Sequence, residues 1–291
     1  MTPKDSGDPE VLVRKEGRLG RLTLNRAGAL HALNTNMCGL MIEALLAWRD
    51  DPEVTTILVD HADGTRGFCA GGDIRMLAES GFLVFSVDYR LVQEGGVLPN
   101  SVRDVKTALC WFRKEGLSRG LDPKRVGSLG ESAGGTIVSL LSTTAGLPDF
   151  APYGEYAKNC DDSVVATVAV FPATDFSTLK TNLAKMVKGE MQRANGARSK
   201  EALAELMKKQ SPITYADRAC PMMFIHGAND ILVTVDQSRS MHAKLKSLGK
   251  ETEYIELADA PHGFFGENFT KPEYDKVRQA AIDYLKKYLG K

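Results

Sequence analysis

A net charge and a long apolar run are both missing from this sequence. Lys plus Arg number 37 and Asp plus Glu also number 37, so no overall electrostatic field would draw the chain to nucleic acid or to an anionic membrane. No stretch approaches the roughly 18 apolar residues of a membrane span, and residues 1–10 lack the basic start and apolar run of a secretory signal. These absences predict a cytoplasmic protein that binds neither nucleic acid nor membrane.

The cysteines are few, and their number is odd. None of the 5 belongs to a Cys-x-x-Cys pair, which argues against a zinc site and against a small disulfide scaffold. We therefore expect reduced, mostly buried thiols, and we expect neither a metal nor an organic cofactor.

Strand-like and helix-like segments alternate from residue 82 to the C-terminus. The predicted strands cover residues 82–90, 125–129, 164–171, 222–226 and 253–257. The predicted helices cover residues 102–114, 133–143, 238–247 and 271–288. This alternation favours an α/β fold with a mostly parallel, twisted sheet flanked by helices. Residues 177–209 are rich in Lys, Met and Ala and interrupt this alternation of strands and helices. They indicate a helical insertion, and one interpretation is that the insertion forms a cap.

The first 80 residues predict fewer elements. Two short apolar runs, 11–13 and 22–24, indicate a hairpin, and residues 35–51 have the apolar spacing of a helix. A buried strand over 55–60 follows. Next come a glycine-rich stretch and a short helix over 73–79.

Ser132 has the sequence context of a nucleophile. It is the central residue of a G-x-S-x-G motif, Gly130 to Gly134, with a predicted strand before it and a predicted helix after it. Small flanking residues permit the tight turn that lifts such a hydroxyl above a sheet. The backbone N–H of Ala133 would then donate to the oxyanion that forms when Ser132 attacks an acyl carbon.

A serine hydroxyl needs a base, and an acid that orients the base, later in the chain. His262 lies in a loop after the predicted strand 253–257, and Asp230 follows the predicted strand 222–226. Catalytic groups of parallel sheets collect at the carboxyl ends of the strands. We therefore predict Ser132, Asp230 and His262 as a catalytic triad.

The other histidines fit the base less well. His226 precedes a glycine at a strand end and is predicted to be a structural hydrogen-bonding residue. His242 lies on a predicted amphipathic helix, while His31 and His61 precede the serine, which is the wrong order.

From about residue 78 onward the sequence resembles the esterase/lipase branch of the α/β-hydrolases, including feruloyl-esterase-like and acetylxylan-esterase-like members. The motifs SVDYRL, GESAGG, SPITYA, HGANDILVTVDQS and APHGFF occur in that family's order. The resemblance implies an α/β-hydrolase catalytic region over residues 81–291. It also implies that Ser132, Asp230 and His262 act on a small-molecule carboxylic ester.

The segment before it resembles a different family. The motifs LTLNRAGALHALN and GFCAGGDIRML are similar to the N-terminal part of the crotonase superfamily, particularly its 3-hydroxyisobutyryl-CoA hydrolase-like group. This resemblance implies an incomplete domain over residues 1–80, joined to the hydrolase near residues 77–82 by natural fusion, engineering or an assembly fault. It also implies that the N–H groups of Ala32 and Gly72 polarise a thioester carbonyl.

The junction removes the loop that would supply a second oxyanion donor. Esterases of this type carry a His-Gly-Gly-Gly-like loop before the strand that contains SVDYRL, whereas this chain has His61-Ala62-Asp63-Gly64 and then TRGFCAGGDIRML. One interpretation is that Gly71-Gly72 only forms a turn. The other is that Gly71 or Gly72 donates the second oxyanion hydrogen bond.

Three functions remain open on the sequence. The first is a serine esterase that works through an acyl-enzyme. The second is a crotonase-type acyl-CoA thioester enzyme that uses Ala32 and Gly72. The third is an inactive fusion product in which the exchanged segment leaves the pocket malformed.

Overall fold

The computed structural model describes residues 9–29, 31, 33, 35–62, 75–90, 97–197, 199–264 and 272–290. The described residues form two compact units, which divide between Ser86 and Val87. Each unit has its own sheet and its own apolar core.

The N-terminal unit is built on a three-stranded sheet. Its strands are β1 (Val11–Glu16), β2 (Leu19–Leu24) and β3 (Thr56–His61), and its helices are α1 (Thr35–Arg49) and α2 (Arg75–Glu79). β1 and β2 pair antiparallel, with Val11 opposite Leu24, and β3 pairs parallel to β2. Val11, Leu22, Leu24 and Met37 are buried together in its core. The predicted hairpin, helix and strand are confirmed.

The C-terminal unit contains a sheet of four parallel strands in the order β4-β5-β6-β7. The strands are β4 (Ser128–Glu131), β5 (Thr167–Val170), β6 (Met222–Gly227) and β7 (Thr252–Leu257). The helices are α3 (Asn100–Gly116), α4 (Ala133–Thr143), α5 (Asn182–Asn195), α6 (Lys200–Gln210), α7 (Asp236–Ser247) and α8 (Pro272–Leu289). The predicted parallel sheet flanked by helices is confirmed. No helix within the described residues is both long enough and apolar enough to cross a membrane.

The strand predicted over residues 82–90 is wrong. Burial alternates along the segment, since Phe82 and Val84 are half-buried while Leu83 and Phe85 are exposed. All of these residues are described, and none of them is in a strand. Alternating burial reports only on side chains, whereas a strand also needs a neighbour that pairs with its backbone groups.

The prediction of reduced thiols is also wrong for two cysteines. Cys110 on α3 and Cys160 form a disulfide with their Cα atoms 5.6 Å apart, although 50 residues separate them in the sequence. The fold brings them together, and their spacing gave no sign of it. Cys38 and Cys220 are free. Disulfides persist mainly in oxidising compartments, so the cytoplasmic location stays a prediction.

The turn from β4 to α4, which carries the predicted nucleophile, is sterically tight. Ser132 occupies this turn with φ at 52° and ψ at −115°. Residues other than glycine adopt this backbone conformation only at a cost in conformational free energy. A Cβ atom on Gly130 would lie 2.4 Å from the carbonyl oxygen of Gly134. A Cβ atom on Gly134 would meet no atom within 4 Å. The two glycines of the motif therefore differ in their steric role.

We predict opposite effects for the two glycine-to-alanine substitutions. Gly130→Ala should destabilise the protein by about 1–3 kcal/mol, because the added methyl group forces the turn apart. Gly134→Ala should leave the stability unchanged or raise it by up to about 1 kcal/mol, since alanine is the better helix former. Urea unfolding of both variants measures the difference, and equal losses would show that the turn is not closed around Gly130.

Candidate active site

Ser132, Asp230 and His262 come from loops that follow three strands of the same parallel sheet. Ser132 follows β4, Asp230 follows β6 and His262 follows β7. Because the strands are parallel, their carboxyl ends meet at one edge of the sheet. The sequence-predicted residues therefore collect at a single edge.

The three side chains form a continuous line of hydrogen bonds. His262 Nε2 lies 2.9 Å from Ser132 Oγ, and His262 Nδ1 lies 2.6 Å from Asp230 Oδ2. A carboxylate can only accept, so Nδ1 carries a hydrogen and the neutral ring leaves Nε2 free to accept from the serine hydroxyl. This arrangement allows the imidazole to take the proton of Ser132.

The loops after β6 and β7 are tied together by their backbones. The N–H of Asn229 donates to the carbonyl of Ala260 at 3.2 Å, and the N–H of Ala228 donates to the carbonyl of Leu257 at 2.9 Å. A Cβ atom on Gly227 would lie only 2.1 Å from the carbonyl oxygen of Ala260. Only glycine permits this approach, which holds the Asp230 loop beside the His262 loop.

The Asp230 carboxylate is buried and fully engaged. Its Oδ1 accepts from the N–H groups of Leu232 at 2.9 Å and Val233 at 2.8 Å, while its Oδ2 accepts from His262. Burial alone would raise the pKa of this carboxyl, but hydrogen bonds from His226, His262 and the backbone outweigh it and hold the pKa well below its ordinary value. Asp230 is therefore ionised and acts as a fixed acceptor.

An aromatic ring packs against the imidazole of His262. The Phe171 ring centroid lies 4.5 Å from that of His262, and Phe171 is only 1% exposed. Phe171 has a φ of 37°, and its N–H donates to the carbonyl of Ile225 at 2.8 Å. A strained backbone in a buried, fixed residue gives the imidazole a rigid apolar wall. Phe171 could not be singled out from the sequence, because it looked like the last residue of a core strand.

His226 makes the structural hydrogen bonds expected of it, and it also lies close to the acid. Its Nδ1 is 2.7 Å from Ser238 Oγ, and its Nε2 is 2.9 Å from the carbonyl oxygen of Val233. The same Nε2 lies 3.3 Å from Asp230 Oδ2. This contact with Asp230 was not predicted, although only four positions separate the two residues at a strand end.

The predicted oxyanion residues divide between described and undescribed parts of the chain. Ala133 is the first residue of α4, where helix N–H groups lack partners within the helix. Gly71, Gly72 and Ala32 lie outside the described residues.

The N-terminal part of the chain matches the enoyl-CoA hydratase/isomerase family model over residues 19–89. Its relatives include the mitochondrial 3-hydroxyisobutyryl-CoA hydrolase of Xenopus tropicalis, which is 36% identical over 106 residues. That alignment covers 36% of this chain and 27% of the relative. The resemblance to the crotonase superfamily is thereby confirmed.

The larger part of the chain matches the BD-FAE family model over residues 63–245, a range that includes Ser132 and Asp230 and ends before His262. Esterase LipC of Mycobacterium tuberculosis is 30% identical over 203 residues, which cover 69% of this chain and 50% of LipC. The chain thus spans about half the length of the curated esterases it matches.

The fold is shared with solved esterase structures. A truncated carbohydrate esterase from gut microbiota superposes with a TM-score of 0.62 at 20% identity, over 74% of this chain and 77% of that one. Because the BD-FAE model matches more than half of the chain, and because the parallel sheet is that of the α/β-hydrolases, the chain belongs to the BD-FAE family of α/β-hydrolase fold proteins.

Proposed function

We propose that this protein is a serine hydrolase that cleaves carboxylic esters through an acyl-enzyme. The observation that carries the proposal is the line of hydrogen bonds from Ser132 through His262 to the buried Asp230. The esterase relatives support it, and each of them is longer than the part that aligns with this chain.

The geometry supports the following steps. Ser132 Oγ attacks the ester carbonyl carbon while His262 Nε2 accepts the hydroxyl proton, and the Asp230 carboxylate stabilises the imidazolium that forms. The imidazolium then gives this proton to the leaving alcohol, and an acyl-serine remains. A water molecule, deprotonated by the same nitrogen, releases the carboxylic acid and regenerates Ser132.

The negative oxygen of each tetrahedral intermediate needs hydrogen-bond donors. The Ala133 N–H at the start of α4 is the donor that we propose among the described residues. We propose Gly71 or Gly72 as the source of the second donor, and both lie outside the described residues. Loss of one such donor costs on the order of a hundredfold or more in rate.

A second candidate activity is the hydrolysis of an acyl-CoA thioester through Ala32 and Gly72. The observation in its favour is the enoyl-CoA hydratase/isomerase match over residues 19–89. The two candidates differ in their dependence on Ser132, and this difference separates them experimentally.

Ser132→Ala should lower the turnover of p-nitrophenyl acetate by about 10⁴-fold or more, because it removes the hydroxyl that forms the acyl-enzyme. Ser247→Ala, which removes an exposed hydroxyl at the end of α7, is the matched control and should retain full turnover. The comparison is made by following p-nitrophenol release from the purified proteins. Turnover that persists in Ser132→Ala would overturn the esterase proposal, and acyl-CoA hydrolysis that persists there would support the thioesterase.

Glu131 is a carboxyl group directly beside the nucleophile. It is half-buried, and burial raises its pKa to about 7, while the imidazolium form of His262 and the guanidinium of Arg278 oppose the rise. The folded protein therefore holds this proton more tightly than the unfolded chain, whose pKa lies near 4.5. The stability that Glu131 contributes is complete below about pH 4.5 and is lost as the pH rises through about 7.

Glu131→Gln removes this titration and keeps nearly the same shape. The free energy of unfolding of the wild-type protein should fall relative to that of Glu131→Gln as the pH rises from 4.5 to 8, because only the wild type must ionise a half-buried carboxyl. Urea unfolding at several pH values gives this difference. A difference that stays constant over the range, or that grows in favour of the wild type, would contradict the burial of Glu131.

A further inference from the structure

His226 lies at the end of β6, directly behind the Asp230 carboxylate. Its Nε2 is 3.3 Å from Asp230 Oδ2, and neither side chain has exposed surface. The hydrogen bonds from Ser132 through His262 to Asp230 do not themselves include His226. Its contacts therefore indicate a role of their own.

The hydrogen-bond partners fix the tautomer of His226. Nε2 lies 2.9 Å from the carbonyl oxygen of Val233, which can only accept, so Nε2 carries a hydrogen. Nδ1 lies 2.7 Å from Ser238 Oγ, whose hydroxyl can donate to it. The ring is thus satisfied in its neutral form: Nε2–H donates to the Val233 carbonyl, and the same nitrogen lies 3.3 Å from Asp230 Oδ2.

We infer that His226 is a positioning residue for the proposed active site: its Nε2–H fixes the Asp230 oxygen that receives His262. The inference rests on the proposed function, since it assigns His226 a role in orienting that triad. Asp230 Oδ2 would receive one N–H from each imidazole, while Oδ1 is held by the backbone N–H groups of Leu232 and Val233. Both oxygens are then held by donors, and the carboxylate cannot rotate away from His262.

The contact with Asp230 is the one that links His226 to the proposed triad. The ring of Phe171 meets that of His226 edge-on at 6.4 Å and adds no polar group. Asp230 lies 3.3 Å from His226 Nε2 and also receives His262, while Glu256 on β7 stands opposite His226 in the strand register. Glu256 is paired with Arg239 at 2.6 Å.

Two substitutions of His226 separate its two nitrogens. His226→Asn keeps an amide near the position of Nδ1, facing Ser238, and loses the donor to Asp230. His226→Gln reaches farther and can return an N–H to the position of Nε2. Ser238→Ala is the matched control, because it removes the partner of Nδ1 and loosens the same buried cluster without touching the Asp230 contact.

The steady-state kinetics of p-nitrophenyl acetate hydrolysis over pH 5–9 should distinguish the variants. His226→Asn should lower kcat by about tenfold or more with little change in KM, since a misplaced acid misorients the base. The acidic limb of its kcat/KM profile should move to higher pH, because a carboxylate that lacks one donor holds the imidazolium proton more tightly. His226→Gln should recover most of kcat, and Ser238→Ala should retain both kcat and the acidic limb even if its melting temperature falls. A wild-type profile in His226→Asn, or the same shift in Ser238→Ala, would overturn the inference.

A measurement on the wild-type protein keeps the inference testable if His226→Asn fails to fold. Nitrogen-15 NMR of labelled histidines distinguishes a protonated Nε2 from a protonated Nδ1 without any turnover. His226 should show the Nε2–H tautomer at neutral pH. A protonated Nδ1 with a bare Nε2 would overturn the inference, because such a ring cannot donate to Asp230.

Failure of the proposed function is recognisable separately. It would appear in the wild-type protein as ester turnover that does not depend on Ser132, before any His226 variant is compared. Failure of the present inference would appear as intact, Ser132-dependent turnover that is indifferent to the Nε2 donor.

Discussion

The burial of one ionised carboxylate is the constraint on which the site depends. Removing a carboxylate from water costs several kcal/mol unless hydrogen bonds replace the lost hydration. Asp230 meets this requirement with backbone N–H groups on Oδ1 and with histidine N–H groups near Oδ2. Each of these donors fixes a different part of the fold: the turn after β6, the end of β6 itself, and the loop after β7. The ionised Asp230 therefore organises the geometry around His262.

All three side chains of the proposed triad come from the C-terminal unit, although the chain resembles two families. The sheet that carries them consists of β4 to β7, and its parallel order follows from the strand–helix alternation. The segment that matches the enoyl-CoA hydratase/isomerase model ends at residue 89 and contributes none of the three. That segment contains Gly71 and Gly72, which we propose as the source of the second oxyanion donor. The two resemblances thus concern different parts of the proposed chemistry.

Much of the fold and of the site could be predicted because local chemistry determines it. The G-x-S-x-G motif requires a tight strand-to-helix turn, and Asp230 and His262 each follow a strand, so the convergence of these two residues and Ser132 at one sheet edge could be predicted without coordinates. The disulfide between Cys110 and Cys160 could not be predicted, because these cysteines are 50 residues apart and only the tertiary packing brings them together. The second neighbour of Asp230 was missed for the same reason: the sequence shows that His226 precedes a turn, but not which side chain lies behind it. The wrong strand over residues 82–90 shows that side-chain alternation does not supply a pairing partner.

The most direct test of the account is covalent labelling of the folded protein with a fluorophosphonate, read by intact mass and by peptide mapping. The account predicts one phosphonyl group per chain, on the peptide that contains Ser132, with labelling strongly slowed in His262→Ala. A cooperatively folded wild-type protein that takes up no label, or that takes it up on a different residue, would contradict the central claim that Ser132 is an activated nucleophile.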